Sequence, residues 1–444
     1  MSTNSSTQWG SRIGFILAGA GSAIGLGAIW KFPFWAGTNG GAAFIIPYIF
    51  FTFTIGIVLL IAELAVGRSG RGSAMHALKV TGGPVFAVLG SFTVLSSYII
   101  LSYYSVVGGW CIKYLLDSVI GRLVTNDPKI LSANFEALVT NGPVNLAWHF
   151  IFLSMTCGVI ALGVVKGIER VAKYLMPTLF ILMILIIIRS VTLPGAGIGL
   201  EFLFKLDLSS VTLENILNAM GFTFFSLSIG CGIMVTYGAY LPNNTDIPNS
   251  SLWISYLAIQ ASILAGLMIM PAVFALGQDP NAGPGLVFVT VPLVFSQIPF
   301  GAVAAVFFNI CLVVAALTSA VSLLEVVVAY LQHEWGLTRL RATALCYVSL
   351  FFVGGLSALS FGAGSEYTIG GRILFDFLDY ICTNVTMPVG GLAVAILAGW
   401  VAWNRTEKQI NLVRTYPKAL NRFICFSLRI LAPALVVVVI ATGI

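Results

Sequence analysis

Charge is what this sequence has least of. Charged residues make up 9% of its 444 positions, where an ordinary soluble chain carries roughly a quarter. So few cannot cover a water-facing surface, because hydrophobic residues reach 58% and 46 glycines add to the apolar share. This excludes a soluble enzyme, a disordered chain and a secreted disulfide scaffold. The 22 lysines and arginines form no basic stripe, which excludes a nucleic-acid partner. Histidine occurs only three times, at His76, His149 and His333. No HExxH, no Ser–His–Asp arrangement and no phosphate loop appear, so neither a membrane enzyme nor a primary pump fits. The seven cysteines are odd in number and scattered without a CxxC, the pattern of buried free thiols. The first twelve residues are polar and show no signal-peptide pattern.

What is abundant is long apolar runs, and a bilayer-spanning helix needs about 20 mostly apolar residues. Such runs lie near 13–38, 41–66, 86–119, 146–165, 171–191, 215–240, 252–277, 299–331, 340–358, 373–402 and 423–443. The expectation is an all-α polytopic membrane protein with about eleven spans. Two runs, 86–119 and 299–331, exceed what a bilayer requires, which predicts tilt or extension beyond it. With the N-terminus inside, the inner segments carry fourteen lysines and arginines and the outer ones about six. That bias places the N-terminus in the cytoplasm and, after an odd number of spans, the C-terminus outside the cell.

Two runs are rich in glycine at their middles: Gly19-Ala-Gly21-Ser-Ala-Ile-Gly25-Leu-Gly27 and Ser226-Leu-Ser-Ile-Gly230-Cys-Gly232. Glycine costs about 1 kcal/mol in a helix interior relative to alanine, so both helices are weakened at mid-membrane depth. Close packing of small residues is one reading. The other is functional: the breaks fall in the first and sixth runs, five apart, as in two five-helix repeats of inverted topology with a binding site between broken helices. On that reading 1–12 is a cytoplasmic segment and 13–191 the first repeat. An extracellular loop covers 192–214, the second repeat 215–402, and a cytoplasmic loop with an eleventh helix 403–444.

The motifs resemble a known family. Trp9 through Pro33, with Thr38-Asn-Gly-Gly-Ala-Ala-Phe44, is similar to the first-helix signature of the neurotransmitter:sodium symporters. Glu63 to Arg68, Tyr103-Tyr104, Lys166 to Arg170, Met176-Pro177, Phe224 to Ser228, Ala316 to Ser319 and Asp376 to Asp379 follow in the family's order. The resemblance covers essentially the whole chain and is strongest to the family's bacterial amino-acid transporters.

It implies a substrate site around the two breaks. Unwound backbone at Ala23, Leu26 and Gly27 would meet a carboxylate at a half-helix N-terminus, where free N–H groups and the dipole favour an anion. Tyr104 would donate to the same carboxylate. Carbonyls near Phe225, Ser226 among the neighbours, and the Ser228 hydroxyl would receive the ammonium. Ile100, Tyr104, Phe225, Ser228, Cys231, Ser319 and Leu323 would line an apolar side-chain pocket, which disfavours a charged side chain. Gly25 stands where monoamine carriers of the family place an aspartate, so an amino acid with its own carboxylate is expected.

Sodium prefers hard oxygen ligands. The resemblance implies one sodium ion held by the carbonyls of Gly21, Ile24 and Ala315 and the hydroxyls of Thr318 and Ser319. The family's other sodium site maps onto Ala28, Ala258 and Ser226, where both alanines lack a side-chain oxygen. Lys31 and Asp379 are the expected outer gate, with lysine lacking arginine's bidentate fork, and Phe222 replaces a glutamine. Tyr240 joins the gating residues. At the inner gate Ser6 and His333 stand where an ion pair is usual, so none is expected; a titrating His333 would give transport a pH dependence. Glu63 and Glu325 are buried acids, expensive in lipid, and Glu63 is expected to accept from the first helix's unwound backbone. Gly167 and Pro177 either let the fifth helix unwind or form an ordinary proline kink.

The function expected is sodium-coupled symport of a hydrophobic, aliphatic or aromatic, L-amino acid by alternating access. The alternative is an amino-acid-binding membrane receptor, or an uncoupled transporter of the same fold. Partners are the substrate and the lipid bilayer; the sequence leaves the oligomeric state open.

Overall fold

The computed structural model describes residues 8–123, 125–278 and 286–442. Among these, nine continuous helices are long and apolar enough to cross a membrane. A further pair, Arg12–Ala23 and Gly27–Thr38, is bent by 51° across its short break. The sixth apolar run, over 215–240, is broken where its glycines cluster, into two short helices, Leu213–Ser226 and Ile233–Ala239, separated by a turn.

Local chemistry explains both interruptions. Ile24 leaves helical geometry at φ −93°, ψ 52°, although its N–H still donates to the Ala20 carbonyl at 2.7 Å. In the sixth helix the chain turns through left-handed backbone at Ser228, Gly230 and Gly232, with φ of 53°, 86° and 75°. Glycine is obligatory at 230, since a Cβ there would sit 1.9 Å from the Met387 carbonyl oxygen. Ser228 is the non-glycine residue held in this costly region.

The two longest apolar runs become helices Pro84–Val119 and Gly301–Glu334. Gly301–Glu334 is the core of the bundle, with 94% of its apolar window buried. Val164–Val191 and Lys418–Ile440 bury 28% and 33% and turn the rest outward. On the former, Ile181, Ile184, Leu185 and Ile188 are exposed, the stripe of a helix whose solvent is hydrocarbon. Short helices Pro128–Thr140 and Ala196–Phe204 and a two-residue hairpin, Thr368–Ile369 with Arg372–Ile373, lie between the long ones.

Candidate functional site

The two breaks face each other and are stitched to the core helix through one carbonyl. Ser228 Oγ and Ser319 Oγ each donate to the Ser22 carbonyl at 3.2 Å, joining the first, sixth and eighth helices at one point. From there a cavity of about 250 Å³ runs up to the Lys31–Asp379 pair.

All of the residues expected to line a substrate site border this cavity except Ser226. Ser226 is buried in the last turn of Leu213–Ser226, where its hydroxyl donates back to the Thr223 carbonyl at 3.3 Å. Two residues later the left-handed turn at Ser228 swings that side chain inward instead. The Leu26 N–H donates to Tyr104 Oη at 3.0 Å, which leaves the phenol's own proton free to donate onward. At Gly25 a Cβ would lie 2.8 Å from Ser319 Oγ and 2.9 Å from Tyr104 Oη, so no larger residue fits. At Gly27 it would meet the Phe225 ring at 2.4 Å, so the edge of Phe225 packs against the first-helix backbone. Ile100, Cys231 and Leu323 are buried around the lower cavity. Ala23 lines it, and Ile24 and Ala315 are fully buried.

Toward the Lys31–Asp379 pair the cavity gains Trp30, Phe34, Trp35, Phe375 and a second carboxylate, Asp376, none of which was expected from the sequence to line it. Asp376 sits one helical turn from Asp379, and that spacing is legible in the sequence. The aromatics carry no local signal. Lys31 Nζ lies 3.5 Å from Asp379 Oδ1 and 4.1 Å from the Phe225 ring centroid, within cation–π range. Phe222 is buried against Phe32, Phe44 and Tyr48, with ring centroids 5.2–5.8 Å away.

Of the residues expected to hold sodium, Gly21, Ala315, Thr318 and Ser319 lie against one another. A Cβ at Gly21 would lie 3.2 Å from Thr318 Cβ, which puts the first-helix backbone against the eighth helix. Thr318 Oγ1 donates to the carbonyls of Val314 and Ala315 at 3.0 and 3.2 Å, and Ser319 Oγ donates to Ser22. Both hydroxyls have spent their protons on carbonyls and keep lone pairs for a cation, so this donor set fits sodium. At the other expected position Ala28 and Ala258 are both buried and bring no side-chain oxygen.

Glu63 corrects an expectation. Its Oε1 accepts the Gly230 N–H of the sixth-helix break at 2.7 Å, and no hydrogen bond to the first helix is present among the described residues. Gly230 is the reason: its left-handed turn aims an orphan N–H at the second helix, and a buried N–H requires an acceptor.

The opposite end of the bundle, where Trp9 docks, is densely tied. Trp9 Nε1 donates to the Tyr237 carbonyl and its backbone N–H to the Tyr240 carbonyl, at 3.0 and 3.2 Å. Glu169 accepts from Gly10 N and Ser11 Oγ, both at 2.7 Å, and from Lys173. Tyr240 Oη donates to Glu325 Oε1 at 2.7 Å, and Arg339 pairs with both oxygens of Glu325. Ser6 lies outside the described residues. No ion pair was expected at the inner gate, and the Glu325–Arg339 pair is new, formed by a residue beyond the eighth helix that sequence reasoning missed. His333 faces Glu334 and His76 instead. Gly167 lies in a π-helical turn, Val164–Glu169, and Pro177 sits inside the helix that follows.

The description of the sodium:neurotransmitter symporter family matches residues 6–135 and 129–444. The chain belongs to that family. It is 41% identical over 397 residues to the uncharacterized sodium-dependent transporter YhdH of Bacillus subtilis, covering 89% of this chain and 88% of that one. A sodium-dependent transporter of Methanocaldococcus jannaschii, MJ1319, is 34% identical, over 89% and 82%. The crystal structure of MhsT in complex with L-phenylalanine superposes with a TM-score of 0.91 at 39% identity, over 99% of this chain and 100% of that one. The symporter is a membrane transporter and not an enzyme.

Proposed function

We propose that this symporter carries a hydrophobic L-amino acid inward with sodium by alternating access, its N-terminus in the cytoplasm. The observation that carries the reading is the cavity itself. Its lower half has backbone N–H groups and hydroxyls for a zwitterion, apolar walls at Ile100, Cys231 and Leu323, and no charged side chain below Lys31. The substrate carboxylate would take the Tyr104 proton and the first-helix N–H groups, and the ammonium the sixth-helix carbonyls near Phe225. Gly25 leaves no room for a side-chain carboxylate, so the substrate must bring its own. Bound L-phenylalanine in the MhsT structure supports an aromatic or aliphatic side chain here.

One sodium ion is proposed, held by Gly21, Ile24, Ala315, Thr318 and Ser319. Bound there, it would fix the unwound first helix against the eighth. The two alanines at the other position favour a single ion and also keep a second reading in play, a binder or carrier that has lost coupling.

Uptake of a labelled amino-acid panel into proteoliposomes, with sodium and again with potassium, tests the proposal. Accumulation only with sodium and a sodium Hill coefficient near one are expected. A coefficient near two would sink the single ion. Equal uptake in both salts would replace symport with the uncoupled reading.

A further inference from the structure

Next to the Trp9 end lies a cluster that the transport site does not use. Arg71, which donates to the carbonyls of Ala239 and Leu241 at 2.9 and 2.6 Å, is followed by Gly72 and by the short helix Ala74–Gly82. His76 stands in its first turn, and its imidazole lies 4.1 Å, centroid to centroid, from that of His333. His333 and Glu334 end the helix Gly301–Glu334. One donor atom from each of His76, His333 and Glu334 lies within 4.8 Å of the other two.

Several features make this more than a chance meeting of side chains. A Cβ at Gly72 would lie 2.6 Å from Cδ2 and Nε2 of His333 and 3.1 Å from Cδ2 of His76. Only glycine, here at φ 72°, lets both rings settle on the same loop. Ser73 Oγ donates to Glu334 Oε1 at 2.7 Å, which orients that carboxylate as outer-shell partners orient metal ligands. His333 Nδ1 lies 3.0 Å from the same oxygen. Neither ring nitrogen of His76 has a hydrogen-bond partner among the described residues. The C-terminal dipole of a 34-residue helix points at the cluster and favours a cation.

We propose that His76, His333 and Glu334 bind a transition-metal ion, zinc by the chemistry of the donors, at the Trp9 end of the bundle. Two imidazoles and a carboxylate are a zinc-type donor set that leaves a fourth position for water. Ligand atoms on a tetrahedral zinc lie roughly 3.3 Å apart, given bonds of about 2.0 Å. Rotation of the exposed His333 side chain supplies that closure. The ion would pin the loop between the second and third helices to the end of the eighth.

The test uses full-length protein in detergent, purified with a tag free of histidine and titrated with cobalt(II) and then zinc(II). One cobalt per chain with tetrahedral visible bands, displaced by equimolar zinc, is expected. X-ray absorption at the zinc edge of the wild type should show two imidazoles. His76→Ala and His333→Ala should each weaken binding by at least about tenfold, at an unchanged metal-free melting temperature. Binding weaker than about 1 mM, or binding that survives both substitutions, would overturn the site. Should a variant not fold, the absorption spectrum decides alone, and fewer than two imidazoles defeats the proposal.

Discussion

At the Trp9 end, Tyr240, Glu325 and Arg339 make a buried chain in which Glu325 is fully enclosed and Arg339 18% exposed. At the Lys31 end, one contact of 3.5 Å joins side chains 24% and 34% exposed. Both ends contain an acid and a base, yet only one is sealed. A buried acid cannot be left without its partner, whereas a half-exposed pair trades protein for water at small cost. The cavity between them is lined by Lys31 and Asp379 of the weaker pair and by no residue of the sealed chain.

The sharpest way to break this contrast is to remove Arg339. Arg339→Ala strands Glu325 in the interior and should cost about 3–5 kcal/mol, read as a large drop in melting temperature and loss of uptake. Adding Glu325→Gln should recover much of the stability, because the stranded charge is gone; an unaltered melting temperature in Arg339→Ala alone would show that the seal lies elsewhere. At the midpoint, Gly25→Ala should overpack Ser319 and Tyr104 by about 1–3 kcal/mol and abolish amino-acid binding in a scintillation proximity assay. Retained binding would mean that the break relaxes more easily than its geometry indicates. Tyr240→Phe removes one hydrogen bond to a charged acceptor, worth about 1.5–3 kcal/mol. Cysteine accessibility at the Trp9 end should rise without loss of fold. The smallest effect belongs to the open end. Lys31→Arg should change stability by less than about 1 kcal/mol and show chiefly as slower substrate release, a gain that salt screens; a larger shift would mean the outer pair already carries the closure.

Much of this architecture was legible because bilayers impose a length and a hydropathy on each helix, and because glycine clusters weaken helices wherever they fall. Gly21 to Gly27 and Ser226 to Gly232 could be placed at breaks for that reason. Ser226 and Ser228, two apart, looked alike in sequence; a left-handed turn sends one into the cavity and leaves the other on the helix. Glu63 was recognisable as a buried acid, but its partner, Gly230, is 167 residues away. Arg339 resembled any other loop cation until the fold brought it to Glu325.

Composition and periodicity by themselves determined that this chain is helical and lives in a membrane, since 9% charge cannot satisfy water and backbone groups in hydrocarbon can be paired only within helices or closed barrels. The motif order likewise determined the family. Tertiary structure alone decided which oxygens and N–H groups converge on Ser22, which acid is sealed and which is half-exposed, and that two histidines more than 250 positions apart share one face. Those outcomes depend on distances between helices, and no local pattern of residues encodes the distance between elements remote in the chain.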